Sequence, residues 1–120
     1  MNAISSYIVE LLNDDMVSHG LLVQCIEEDE SIHNRPQLKW TEVLENLLSG
    51  EVEIGIAKSK SEEYVEFIAW RGSINERISR AVEYVDKAST SDQEFAYWLC
   101  LRKNVDRYEG DEHQDSSQNA

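Results

Sequence analysis

The stretch from Arg35 to Gly72 constrains the fold most, because there the spacing of apolar residues switches from helical to extended. Leu38, Val43, Leu44, Leu47 and Leu48 give the apolar stripe of one helix, and from Trp40 onward the stripe keeps the three- and four-residue steps of one face. Gly50 is suited to end that helix. Val52, Ile54 and Ile56 then alternate with Glu51, Glu53, Gly55 and Ala57, the pattern of a strand with one face buried. Tyr64 to Trp70 is a second extended run, apolar on both sides, and so expected to be covered twice or to pair on its outer face. The polar segment Lys58-Ser59-Lys60-Ser61-Glu62 joins the two runs into a hairpin. Two strands alone are marginal in water, so the remainder of the chain must supply helices that back them.

The flanking sequence supplies them. Ile4, Tyr7, Ile8, Leu11 and Leu12 fall at i, i+3, i+4, i+7 and i+8, one face of an amphipathic helix. Val17, Leu21, Leu22, Cys25 and Ile26 also keep helical spacing, so residues 16–28 are expected to be a helix, although Leu21-Leu22-Val23 after Gly20 equally suits a buried strand. Asn34, with Pro36 and Gln37, forms a starting signal for the central helix. Ser73 and Glu76 form a capping box ahead of Ile74, Ile78, Ala81, Val82 and Val85. Ser91 and Glu94 repeat the pattern, which predicts a last, deeply buried helix through Phe95, Trp98, Leu99, Arg102 and Val105. The expected architecture is α+β and helix-rich, with four to five helices and a small antiparallel hairpin sheet. It forms one globular domain over residues 1–108, and residues 109–120, with Ala120 their sole apolar residue, form a disordered acidic tail.

Charge is the most unusual property: the net formal charge is −13, and it is uneven. Residues 1–30 hold seven acids, namely Glu10, Asp14, Asp15, Glu27, Glu28, Asp29 and Glu30, and no Lys or Arg. Such a field repels phosphate backbones and anionic lipid and attracts basic partners; the plainer reading is that it keeps the protein soluble. No run of about 20 apolar residues exists to span a bilayer, and Met1-Asn2-Ala3-Ile4 lacks the basic start of a secretory leader. Cys25 and Cys100 sit among apolar residues and read as buried thiols of a reducing, cytoplasmic protein.

Few constellations carry chemistry. Glu30-x-x-His33 has the spacing of two metal ligands on one helix face, but carboxylate-bridged bundles need two such motifs and more acids, so no metal is expected. Asp111-Glu112-His113 lies in the tail, where ordering entropy works against a site. Cys25 or Cys100 with His19 or His33 are the nucleophile–base candidates; burial would make the thiols inert, and His19 beside Gly20 also reads as a surface residue. Glu66 is the one acid inside an apolar strand, where an exposed charge that protects a sheet edge is expected over a tuned acid. Neither a nucleophile elbow nor a phosphate-cradling glycine loop is present, and no cofactor is implied.

Helices followed by a hairpin with a polar loop resemble, over residues 4–70, the element order of a winged-helix module. That resemblance implies Arg35 and Lys39 on a recognition helix and Lys58 and Lys60 at the tip of a wing. Glu42, Glu45, Glu51, Glu53, Glu62 and Glu63 crowd the same elements, whereas a phosphate-binding face concentrates Lys and Arg. The sequence therefore points to a non-enzymatic, acidic protein-interaction module, of inhibitor, immunity or regulatory type, that binds a basic protein surface. Its expected contact residues are the dense run Glu27, Glu28, Asp29 and Glu30 together with Trp70, which precedes Arg71 at a strand end. The alternatives are a winged-helix-like nucleic-acid-associated regulator and, third, a small enzyme with a site around His33.

Overall fold

Residues 3–33, 39–59, 61 and 65–107 of the computed structural model are described here, the side chains of 31–33 excepted. In chain order they form α1 (Ala3–Leu12), β1 (Val17–Ser18), α2 (His19–His33), α3 (Trp40–Leu48), β2 (Val52–Ser59), β3 (Val65–Ala69), α4 (Ile74–Lys87) and β4 (Trp98–Leu101), with 3-10 turns at Gln93–Phe95 and Arg102–Asn104. The sheet is antiparallel in the order β1-β4-β2-β3. The fold is thus α+β and helix-rich, as the sequence implies.

One face of the sheet carries the core. Val17 and Leu99 pair, as do Ile54 and Leu99, and Val52 and Leu101, so these side chains share a face. They join Ile4, Ile8 and Leu12 of α1, Leu22, Cys25 and Ile26 of α2, Val43, Leu44, Leu47 and Leu48 of α3, and Ala81 and Val85 of α4 in a single cluster. Leu22, Val43, Leu44, Leu47, Ile54 and Leu99 are fully buried. Each such aliphatic side chain contributes about 1.5–3 kcal/mol by leaving water, which is how α2 holds together although its own acids repel one another.

Local signals explain several boundaries. Ser73 Oγ accepts from Glu76 N at 3.1 Å while Ser73 N donates to Glu76 Oε1 at 3.0 Å, the full capping box that opens α4. Ser18 Oγ accepts from Leu21 N at 3.3 Å, so the last residue of β1 also caps α2. Asn104 is buried and its Nδ2 donates to Leu12 O at 3.0 Å, satisfying a carbonyl at the end of α1 from a segment 92 residues away. Gly55 is required by contact: a Cβ there would lie 1.9 Å from Ile68 O on the adjacent β3 backbone.

The structure corrects the sequence reading at several elements. The run from Ser91 to Val105 is not a helix: after the 3-10 turn it becomes β4, paired on both sides with β1 and β2. An apolar run such as Tyr97–Leu101 fits a buried strand as well as a buried helix, and the open edge of β2 decides between them. Phe95, expected deep in the core, is 56% exposed. Residues 16–28 divide: Val17–Ser18 is strand, and the helix begins at His19 and runs on to His33, so Glu27 to Glu30 all lie within α2. Glu66, expected as an exposed edge charge, is buried on the edge strand β3, opposite Lys58. The expected cap at Asn34, with Pro36 and Gln37, and the tail of residues 109–120 lie outside the described residues; α3 begins after Lys39 with no side-chain cap.

Candidate functional site

The acidic run is reshaped by its helix. Successive residues of a helix point about 100° apart, so Glu27, Glu28, Asp29 and Glu30 cannot share one surface. Gly20, Val23, Gln24 and Glu27, at i, i+3, i+4 and i+7, do share one. Together with His19, Thr90, Gln93 and Glu94 they line a cleft of about 450 Å³ between α2 and the segment leading into β4. Glu28 is exposed and accepts from Gln24 Nε2 at 3.0 Å; Asp29 and Glu30 are half-buried. The run stands toward the C-terminal end of α2, where the helix dipole disfavours carboxylates, so helix stability does not account for it.

A buried hydrogen-bonded pair adjoins this cleft. His19 is only 7% exposed, and its Nδ1 is 2.8 Å from Oη of the fully buried Tyr97. His19 N also donates to Tyr97 O at 3.3 Å. The imidazole meets the Trp40 ring edge-on at 4.7 Å and the Tyr97 ring at 5.0 Å. Burial pushes the Tyr97 phenol well above its ordinary value and holds the His19 imidazole below its own. Tyr97 therefore keeps its proton. With Nδ1 its one side-chain partner among the described residues, it donates to that nitrogen. The proton of the neutral imidazole then sits on Nε2. His19, a candidate base that also read as a surface residue, is buried, and Tyr97, Gln93 and Glu94 join it without having been singled out.

Trp70 is not an exposed anchor. It is 7% exposed, belongs to the core cluster, and its N donates to Ile54 O at 2.8 Å. Its ring lies 5.1 Å from that of Tyr84, and the guanidinium of Arg80, not of Arg71, stands 5.2 Å from its centroid. Cys25 and Cys100 are buried thiols; burial, and secondarily the charge of Glu28, pushes the Cys25 thiol up. The structure puts His33 at the end of α2, with its side chain outside what is described, as are Arg35, Lys60 and Asp111 to His113. Among the described residues, no group of three or more His, Cys, Asp or Glu is placed to hold a metal ion, and no helix is long and apolar enough to cross a membrane.

No protein-family model, curated protein or solved structure matches this chain. The site therefore stands on its own geometry.

Proposed function

We propose that this chain is a non-enzymatic protein-interaction module, of inhibitor, immunity or regulatory type and cytoplasmic, that receives a basic protein surface on α2. The observation that carries the reading is the pairing of Glu27 with Glu94 along a cleft whose lining holds no Lys or Arg. Exposed Glu28 extends the same negative field, and the first thirty residues contain no base to offset it. Charges so placed raise association rates with a cationic partner and discriminate against acidic ones.

The nucleic-acid alternative draws less support. The outward side of α3 exposes Glu42 and Glu45, Lys58 on β2 faces Glu66, and β2 is paired on both edges rather than projecting as a wing.

The test is affinity capture with the wild-type chain and with Glu28→Gln/Glu30→Gln, side by side at low ionic strength and quantified by mass spectrometry. A basic protein retained by the wild type and depleted from the variant is expected. Equal retention by both, or retention of nucleic acid instead, overturns the reading.

A further inference from the structure

The hydrogen bonds around the cleft fix what it has left to offer. Gln24 Nε2 donates to Glu28 Oε1 at 3.0 Å, and Gln93 Nε2 donates to Val85 O at 3.1 Å. Each amide keeps a carbonyl oxygen and a second N–H. With the carboxylates of Glu27 and Glu94, which can only accept, and the Thr90 hydroxyl, the lining is rich in acceptors. A donor in the cleft wall, the His19 imidazole, stands beside them. His19 has Nδ1 engaged by Tyr97, and its Nε2–H has no hydrogen-bond partner among the described residues.

Glu94 is also fitted to its place. A Cβ on Gly20 would approach Glu94 Cγ to 2.2 Å, so the absence of a side chain at residue 20 lets this carboxylate lie against α2.

We propose that the cleft is a specificity pocket for one arginine of the partner: the guanidinium lies among Glu27, Glu94 and the Gln24 and Gln93 carbonyl oxygens, and the arginine's main-chain carbonyl accepts from His19 Nε2. This rests on the reading of α2 as a basic-protein surface and names the residue recognised there. Guanidinium carries five donors in a planar fork and no acceptor, which matches a lining rich in acceptors better than the point charge of lysine does. The volume of about 450 Å³ accommodates a side chain together with its peptide unit. A metal ion fits the same residues poorly, since among the described residues they do not converge as a ligand group.

The probe is acetyl-Gly-Arg-Gly-amide, titrated into the full chain with ¹⁵N-labelled histidine and read at the His19 ring resonance. Its neutral isostere with citrulline in place of arginine is the control. The arginine peptide is expected to saturate with a Kd on the order of 1 mM and to shift His19 Nε2. Glu94→Gln, at an exposed position that leaves the α2 run intact, is expected to weaken it roughly five-fold; Gly20→Ala, which displaces Glu94, is expected to do the same. Equal binding of the citrulline peptide, or no movement of His19, overturns the pocket. If Glu28→Gln/Glu30→Gln still loses a captured basic protein while the arginine peptide leaves His19 unmoved, the pocket fails and the α2 surface stands. Loss of both results defeats the two together.

Discussion

Tyr97 Oη and His19 Nδ1, 78 residues apart in the chain, meet at 2.8 Å in the interior. Strand pairing makes the contact: Val17 faces Leu99 and Ser18 faces Trp98, so the next step of the register brings His19 to Tyr97. The buried hydroxyl and the Nδ1 of the buried imidazole satisfy one another, and neither of these two atoms is left with the desolvation cost of an unmet hydrogen bond. Tyr97→Phe removes the donor and leaves Nδ1 unmet. A loss of about 1–2 kcal/mol in urea unfolding is expected, together with a change in the His19 ring ¹⁵N pattern as the proton redistributes between the two nitrogens. An unchanged ring spectrum would show that Tyr97 does not set the tautomer.

The same burial gives a pH dependence of definite sign. The folded protein holds the His19 pKa below its ordinary 6.5 because charging the buried ring is opposed. Once pH falls below that ordinary value the unfolded chain binds the proton and the folded one resists it, so stability is complete above it and declines as pH drops toward the lowered value. The melting temperature of the wild type is expected to fall between about pH 7.5 and about pH 5.5, above the range where carboxylates titrate. His19→Gln is expected to show a flatter profile over that window, whatever its absolute stability. Parallel profiles would locate the dependence elsewhere.

Two glycines separate a structural constraint from a functional one. At Gly55 the added Cβ would run into backbone, Ile68 O at 1.9 Å, which cannot rotate away. Gly55→Ala is expected to cost about 2–3 kcal/mol by forcing β2 and β3 apart. At Gly20 the nearest obstacle is Glu94 Cγ at 2.2 Å, which side-chain rotation moves away, and Glu94 Cβ at 3.0 Å then needs a shift of only a few tenths of an ångström. Gly20→Ala in the first turn of α2 is therefore expected to leave stability unchanged or raise it by up to about 1 kcal/mol, while moving Glu94. Chemical denaturation of the two variants, measured together, checks both. Equal destabilisation would contradict the distinction.

How far the sequence foretold this molecule can be followed residue by residue. The stripe of Val43, Leu44, Leu47 and Leu48, the alternation through Val52, Ile54 and Ile56, and the Ser73–Glu76 box are local signals, and each produces the expected element. Tyr97 to Leu101 misleads because an unbroken apolar run has no period; only the vacant edges of β1 and β2 turn it into a strand. The cleft is hidden for the same reason. Glu27 announces itself in an acidic run, but Gln93 and Glu94 reach it through that long-range pairing, and His19 is buried by rings, Trp40 and Tyr97, that are remote in sequence.

The acids of α2 can be tested as a surface by rate rather than by affinity. Glu27 and Glu28 are exposed and Glu30 is half-buried on a helix whose packing depends on Leu22, Cys25 and Ile26; none of the three acids belongs to the core cluster, so their neutralisation removes no core contact. It relieves repulsion between Glu27 and Glu30 and with the negative end of the helix, and the fold is expected to change by no more than about 0.5 kcal/mol, in the stabilising direction. Attraction between opposite charges acts before contact, and so it shows in the association rate more than in the lifetime of a complex. Against a captured basic partner, Glu27→Gln/Glu28→Gln/Glu30→Gln is expected to associate more slowly than the wild type. The gap should be widest at low ionic strength and close near 1 M salt, where charges are screened within about 3 Å. Stopped-flow or surface-based kinetics across a salt series reads this directly. Wild-type association by the triple variant at low salt would remove α2 from the interface. An unfolded variant would instead place these carboxylates among the groups that hold the helix in place.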